Sequence, residues 1–188
     1  EKALINIGYS TKVTDLKTQN FKNDDILFIP GVGNFNHAMK IINQNKIRDE
    51  IYEFCLIKKK PIVGICLGMQ LFFEKSTETK ITKGLSLLKG NVSIMPKNIR
   101  PNIGWLNIKS YKKNFLSKFN KDYFYFVHSY YCKPKNNDVI LTESYIKNFK
   151  FCSSIHYKNI FATQFHPEKS GQSGLKIYKN FKNLIEKK

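Results

Sequence analysis

The sequence predicts an α/β fold: a mostly parallel central sheet flanked by helices, with a region of antiparallel β-hairpins added. Three observations carry this reading. Two short apolar runs, residues 25–30 (DILFIP) and 61–65 (PIVGI), have the length and continuity of strands buried on both faces. Each leads through a glycine-containing turn into a stretch with helical spacing. After Ser76 the pattern changes to short β-like runs divided by Asn, Lys and Pro.

In chain order, residues 1–8 (EKALINIG) read as the last turns of a helix closed by Gly8. Residues 12–16 read as a short strand, 25–30 as a buried parallel strand, and 31–34 (GVGN) as a loop. Phe35, Ala38, Met39, Ile42, Ile47, Ile51, Phe54 and Cys55 then recur at roughly helical spacing and predict a helix through Lys59. The triple lysine 58–60 falls at its end, where cations complement the helix dipole. A second buried strand covers 61–65, and a helix over 69–74 leaves it. The β-like runs are 85–95, 105–109, 123–131, 139–141, 151–154 and 161–164, expected as hairpins beside the parallel core. Leu175, Tyr178, Phe181, Leu184 and Ile185 form one apolar face of a closing helix. No linker, repeat or low-complexity block interrupts the chain, which predicts one domain over residues 1–188.

Composition narrows the function classes. The 188 residues are 41% hydrophobic and 14% aromatic, enough for a folded core without disulfide or metal staples. No apolar run approaches the ~20 residues of a membrane span, and no signal-peptide pattern opens the chain. The four cysteines show no CxxC spacing, so a reducing, cytoplasmic setting is expected. The formal charge of +18 suggests a polyanion partner by sign alone. Yet Arg48 and Arg100 are the only arginines, and the lysines are scattered rather than gathered into a patch. Lysine, Asn and Ile are together what AT-rich codons supply. A basic nucleic-acid-binding module is therefore disfavoured.

Three motifs carry chemistry. Gly64-Ile-Cys66-Leu-Gly68 sits between a buried strand and a helix, the pattern of a nucleophile elbow with cysteine as the nucleophile. Small flanking residues allow the sharp turn, and the N–H groups of the helix start favour a thiolate. One hundred residues on lies Gln164-Phe-His166-Pro-Glu168. A thiol nucleophile needs a base within reach and an acceptor to orient that base. His166 and Glu168, alternating along an extended segment stiffened by Pro167, fit the two roles. Pro30-Gly-Val-Gly33 ends the other buried strand and can turn a backbone amide toward the elbow. With the N–H of Leu67 that makes an oxyanion hole.

Together with FYFVHSYY (residues 124–131) these segments resemble the Cys-His-Glu triad glutamine amidotransferases, which have a flavodoxin-like fold. PGVG and Pro101-Asn-Ile-Gly-Trp105 resemble the glutaminase subunit of imidazole glycerol phosphate synthase, the HisH family. The resemblance implies Cys66 as nucleophile, His166 as base and then acid, Glu168 as its orienting carboxylate, and Gly33 and Leu67 as oxyanion donors. It implies that Gly33, Gly68, Gln70, Ser129 and Tyr130 line the site for L-glutamine. It also implies that Trp105 and Tyr125 stand where ammonia passes to the partner, with core packing as the competing reading of both. No cofactor or metal is expected. The implied partner is a HisF-like synthase (cyclase) subunit in a heterodimer. Ammonia delivered there would serve the synthesis of imidazole glycerol phosphate and AICAR in histidine biosynthesis; no nucleic acid or membrane partner is expected.

Two departures from the family pattern stand out. The family opens with a buried strand and an Asp-Tyr-Gly-x-Gly-Asn turn, absent here, and the chain starts with Glu1. The first strand is therefore expected to be missing, and the parent protein to carry about 15–20 further N-terminal residues. The family usually has histidine where this chain has Asn102, on a segment expected to face the synthase. That keeps an alternative open: a paralogue supplying ammonia for surface-sugar amidination.

Overall fold

The computed structural model describes the chain except residues 15–20, 22, 79–80 and 187–188, and except the side chains of 182–186. A one-turn helix α1 (Lys2–Ile5) comes first, and Gly8 follows at φ +86, a left-handed residue closing the turn as its sequence position requires. Lys12, Val13 and Thr14 form no strand; positions 15 and 16 of the strand expected there lie outside the described residues. Strand β1 (Leu27–Gly31) leads into α2 (Phe35–Gln44) and α3 (Ile47–Tyr52), which continues as a π turn over Glu53–Ile57. The single helix expected through Lys59 is thus broken. Asn45 closes α2, with its side chain donating to the Ile41 carbonyl, and Lys46 turns left-handed at φ +56.

Strand β2 (Ile62–Cys66) passes directly into α4 (Leu67–Leu71). That helix is shorter than the 69–74 expected, because Phe73 and Glu74 already belong to β3 (Phe73–Ser76). Then follow β4 (Thr82–Lys83), β5 (Leu88–Ile94), β6 (Asn102–Asn107), β7 (Tyr123–His128), β8 (Tyr130–Pro134), β9 (Ile140–Ile146), β10 (Phe149–Tyr157), β11 (Ile160–Thr163) and the closing helix α5 (Gly171–Glu186).

The main sheet has the order β1-β2-β11-β10-β9. Its first two pairings are parallel and its last two antiparallel, so the parallel character belongs to the half that carries the elbow. Of the expected hairpin strands, β9, β10 and β11 continue this sheet, while β5 with β8 and β6 with β7 lie in sheets of their own. Further strands make a four-stranded sheet β4-β3-β5-β8 and the hairpin β6-β7.

All five residues of β2 are buried, since it pairs on both sides. β1 was expected to be equally buried, but it is mostly half-buried because, among the described residues, it pairs with β2 alone. Alternation along β2 sorts the core: Ile62 packs with Met39, Phe54 and Met69, while Val63 and Ile65 pack with Phe126, Phe165 and Phe181. Ile177, Tyr178 and Phe181 close the second cluster from α5, with Leu175 only half-buried.

The elbow depends on close approach. A Cβ on Gly68 would lie 1.8 Å from the Ile29 carbonyl oxygen, and one on Gly64 would lie 2.7 Å from the Phe72 ring. Gly68→Ala is therefore expected to destabilise the fold by on the order of 3 kcal/mol or more, because the obstacle is backbone. The urea midpoint measures it; an unchanged midpoint would contradict this packing.

Candidate active site

Cys66 ends β2 at φ +54, ψ −104, a conformation that costs a non-glycine residue on the order of 1–3 kcal/mol. Strain of this kind is what lifts a nucleophile off the end of a buried strand. The sulfur lies 3.8 Å from the Val127 carbonyl oxygen and accepts from Gln164 Nε2 at 3.6 Å. Leu67 begins α4, so its N–H is one of the unpaired donors of a helix start.

His166 and Glu168 were expected to alternate along an extended segment. Only His166 is extended; Pro167–Lys169 form a 3-10 turn, which Pro167 favours by its fixed φ. The turn brings the Glu168 carboxylate back onto the same ring, with Nδ1 to Oε1 at 2.6 Å. Tyr178 from α5 donates to the other carboxylate oxygen at 3.2 Å. His166 Nε2 is buried and has no hydrogen-bond partner. Even so, the ring responds to the sulfur. Burial opposes its charge, but Cys66 and Glu168 outweigh burial and push its pKa up to about 9. The Glu168 carboxyl, against burial, is held below its ordinary value chiefly by the His166 bond.

A raised imidazole pKa has a defined sign. The charged ring adds stability that is fully present below the unfolded value near 6.5 and is lost as pH rises through about 9. The His166 ring is expected to titrate near 9 by NMR, and at lower pH in Cys66→Ala, which removes one of the two groups holding the proton. An unchanged midpoint in that variant would contradict the pairing.

Register places Gly31 opposite Cys66, so the loop after β1 starts at the elbow. Gly33 in that loop has φ +110 with open space around a would-be Cβ; conformation, not room, requires glycine there. Gly68 is the close-contact residue already described. Gln70 Nε2 donates to the Tyr130 carbonyl and to Gln164 Oε1, both at 3.1 Å. The Ser129 carbonyl accepts from Met95 N–H, so the carbonyls of both Ser129 and Tyr130 have internal partners.

Trp105 and Tyr125 are cross-strand neighbours with rings in edge contact at 5.8 Å. Trp105 is 52% exposed, which argues against plain core packing for it. The Tyr125 carbonyl accepts from His166 N–H. Asn102 is not on an open face: it is buried, with Nδ2 2.9 Å from His128 Nε2. The strand alternates, and Ile103 rather than Asn102 faces outward.

Four residues of this region carry no assignment from the sequence: His128, Gln164, Tyr178 and Glu78. The first two lie inside the motifs FYFVHSYY and QFHPE, which was the available signal. Tyr178 was read only as part of an apolar helix face. The Glu78 carboxylate accepts from Phe35 N–H at the start of α2, and the Tyr130 hydroxyl donates to the Glu78 carbonyl.

The fold and the elbow define a class, and comparison agrees: residues 1–184 match the family model of class-I glutamine amidotransferases. Likeness in fold extends to a solved glutamine amidotransferase structure (TM-score 0.72, 16% identity, 98% of this chain and 91% of that one). The chain is also similar to the imidazole glycerol phosphate synthase subunit HisH of Caldanaerobacter subterraneus subsp. tengcongensis, 45% identical over 99% of this chain and 92% of the relative. The HisH subunit of Chlorobaculum tepidum is 40% identical over 96% of this chain and 90% of the relative. The chain belongs to the class-I glutamine amidotransferase family, in its HisH branch.

Proposed function

We propose that this chain hydrolyses L-glutamine at Cys66 and hands the ammonia to a synthase subunit that forms imidazole glycerol phosphate and AICAR. The observation that carries the proposal is the ordered set Cys66, His166, Glu168: a strained cysteine at the elbow, and an imidazole held by Glu168 at 2.6 Å whose buried Nε2 is left without a partner. In this reading the Cys66 thiolate attacks the side-chain amide carbon. Charge that develops on the amide oxygen is met by the N–H groups of Leu67 and Gly33. The tetrahedral intermediate collapses as His166 gives its proton to departing ammonia, leaving a γ-glutamyl thioester. Water, deprotonated by the now neutral His166, attacks the thioester and releases glutamate and the thiolate. Glu168, braced by Tyr178, keeps the imidazole aimed throughout.

The remaining parts of the reading follow the family. Gln70, Gly68, Ser129 and Tyr130 border the glutamine site, and Trp105 and Tyr125 flank the route toward the synthase. The partner is a HisF-like subunit in a heterodimer, and the chain works as one glutaminase domain in the cytoplasm. Four free cysteines suit that compartment, and no helix among the described residues is long and apolar enough to cross a membrane. The HisH relatives favour histidine biosynthesis over sugar amidination.

Amide-15N glutamine, supplied to this chain reconstituted with the cyclase subunit and its nucleotide substrate, tests the proposal. The label is expected in the imidazole product. Label that enters free ammonium alone, at full rate and with no product, would refute delivery to that synthase.

A further inference from the structure

Asn102, His128, Gln70 and Gln164 are all buried, at 7%, 7%, 6% and 0% exposure, and none belongs to the triad. Their orientations follow from one group, the Tyr130 carbonyl, which can only accept. It accepts from His128 Nδ1 at 2.8 Å and from Gln70 Nε2 at 3.1 Å. His128 therefore carries a proton on Nδ1. Burial holds its pKa down to about 4, so the ring is neutral and Nε2 is left as an acceptor. Asn102 Nδ2, 2.9 Å away, supplies the matching donor.

On the other side, the second hydrogen of Gln70 Nε2 goes to Gln164 Oε1 at 3.1 Å. With its oxygen engaged, Gln164 turns its amide nitrogen to the Cys66 sulfur at 3.6 Å. A single carbonyl thus sets three amide orientations and one imidazole tautomer. A donor aimed at sulfur favours thiolate over thiol.

Granting the glutaminase reading of Cys66, we propose that Gln164 and His128 are positioning residues. Gln164 donates to the Cys66 thiolate, and His128, locked by Asn102, holds that donor in line with strand β6. The strand has two sides with different duties. Asn102 points inward to this relay, while its neighbours Ile103 and Trp105 face outward at 61% and 52% exposure. Trp105 rests on Tyr125, whose carbonyl receives the His166 N–H. The β6-β7 hairpin therefore reaches both halves of the reacting pair: the sulfur directly at the Val127 carbonyl, 3.8 Å away, and through the bonds that run from His128 to Gln164, and the backbone of His166 through one N–H.

The ionisable groups around the sulfur are His166 with Glu168 behind it, His128 and Cys132. Gln164 is neutral, so its effect on the thiolate is separable. Gln164→Met removes the donor without adding charge, and Gln164→Glu keeps the acceptor for Gln70 while replacing the donor with an oxygen. In both, the rate of Cys66 alkylation by iodoacetamide at neutral pH is expected to fall about tenfold, with kcat falling about as much and KM little changed. An alkylation rate equal to wild type in Gln164→Met would overturn the role of Gln164.

The unmodified protein provides a test that no misfolded variant can spoil. The 15N spectrum of His128 is expected to show the neutral ring protonated at Nδ1; a ring protonated at Nε2 would overturn the relay. In Asn102→Asp, which can only accept there, His128 is expected to become imidazolium, and the Cys66 alkylation rate to change with it. A His128 spectrum and a Cys66 alkylation rate both unchanged in that variant would count against coupling along β6. Wild-type protein that hydrolyses no glutamine even with its synthase would refute the glutaminase reading itself, whatever the state of His128.

Discussion

His166→Ala is expected to lower glutamine turnover on the order of a thousandfold or more, because one imidazole serves as base, acid and counter-charge for the sulfur. Cys66→Ala should abolish turnover, since no thioester can form. The fold should survive, because the change is a single atom at the end of β2. Glu168→Gln is expected to cost less than either. The amide still reaches the ring, and Tyr178 can still hold the side chain, but the protonated imidazole loses one of the two charges that favour it. Steady-state kcat values with circular-dichroism controls decide the order. A Glu168→Gln variant more damaged than His166→Ala would mean that the roles are wrongly assigned.

Docking of a ligand-loaded synthase is expected to raise glutaminase activity steeply from a poor basal rate. Free ammonia wastes glutamine, and the loop that carries Gly33 has the conformational freedom to hold its N–H away from the elbow. The coupling is a difference in free energy between two loop arrangements. Typical allosteric coupling corresponds to roughly 5–150-fold; whatever part of it tightens glutamine binding must tighten synthase binding by the same factor, while the part in kcat need not be reciprocal. Comparing turnover of the chain alone and in the complex measures the activation. Full activity from the chain alone would contradict this part of the account.

The elbow was legible in the sequence because its requirements are local: an apolar run, two glycines that nothing larger can replace, and a cysteine between them. The His166-Pro167-Glu168 triplet was legible for the same reason, although the turn that folds Glu168 onto the ring was not. What stayed hidden depends on pairing across the chain. Residues 139–164 read as separate β runs, and nothing local shows that β11 returns beside β2 while β9 and β10 extend the same sheet. Half-burial of β1 depends on its neighbours, not on its own apolar composition. Asn102 looked like a surface residue until its pairing with His128 across the hairpin placed it inside. Gln164 carried no signal beyond its place in the motif, since an amide two residues before a histidine has no meaning until Gln70 arrives from helix α4.

The most direct measurement is covalent labelling with a glutamine-like electrophile, read by peptide mass spectrometry over all four thiols. Burial pushes the Cys55 thiol up to about 11 and raises Cys132 and Cys152 as well, so at neutral pH these three remain protonated. Cys66 stands at the elbow beside His166 and the Gln164 donor. The account predicts one modified peptide, containing Cys66, with labelling that glutamine slows by competition. Label spread evenly over the four cysteines, or indifferent to glutamine, would contradict it.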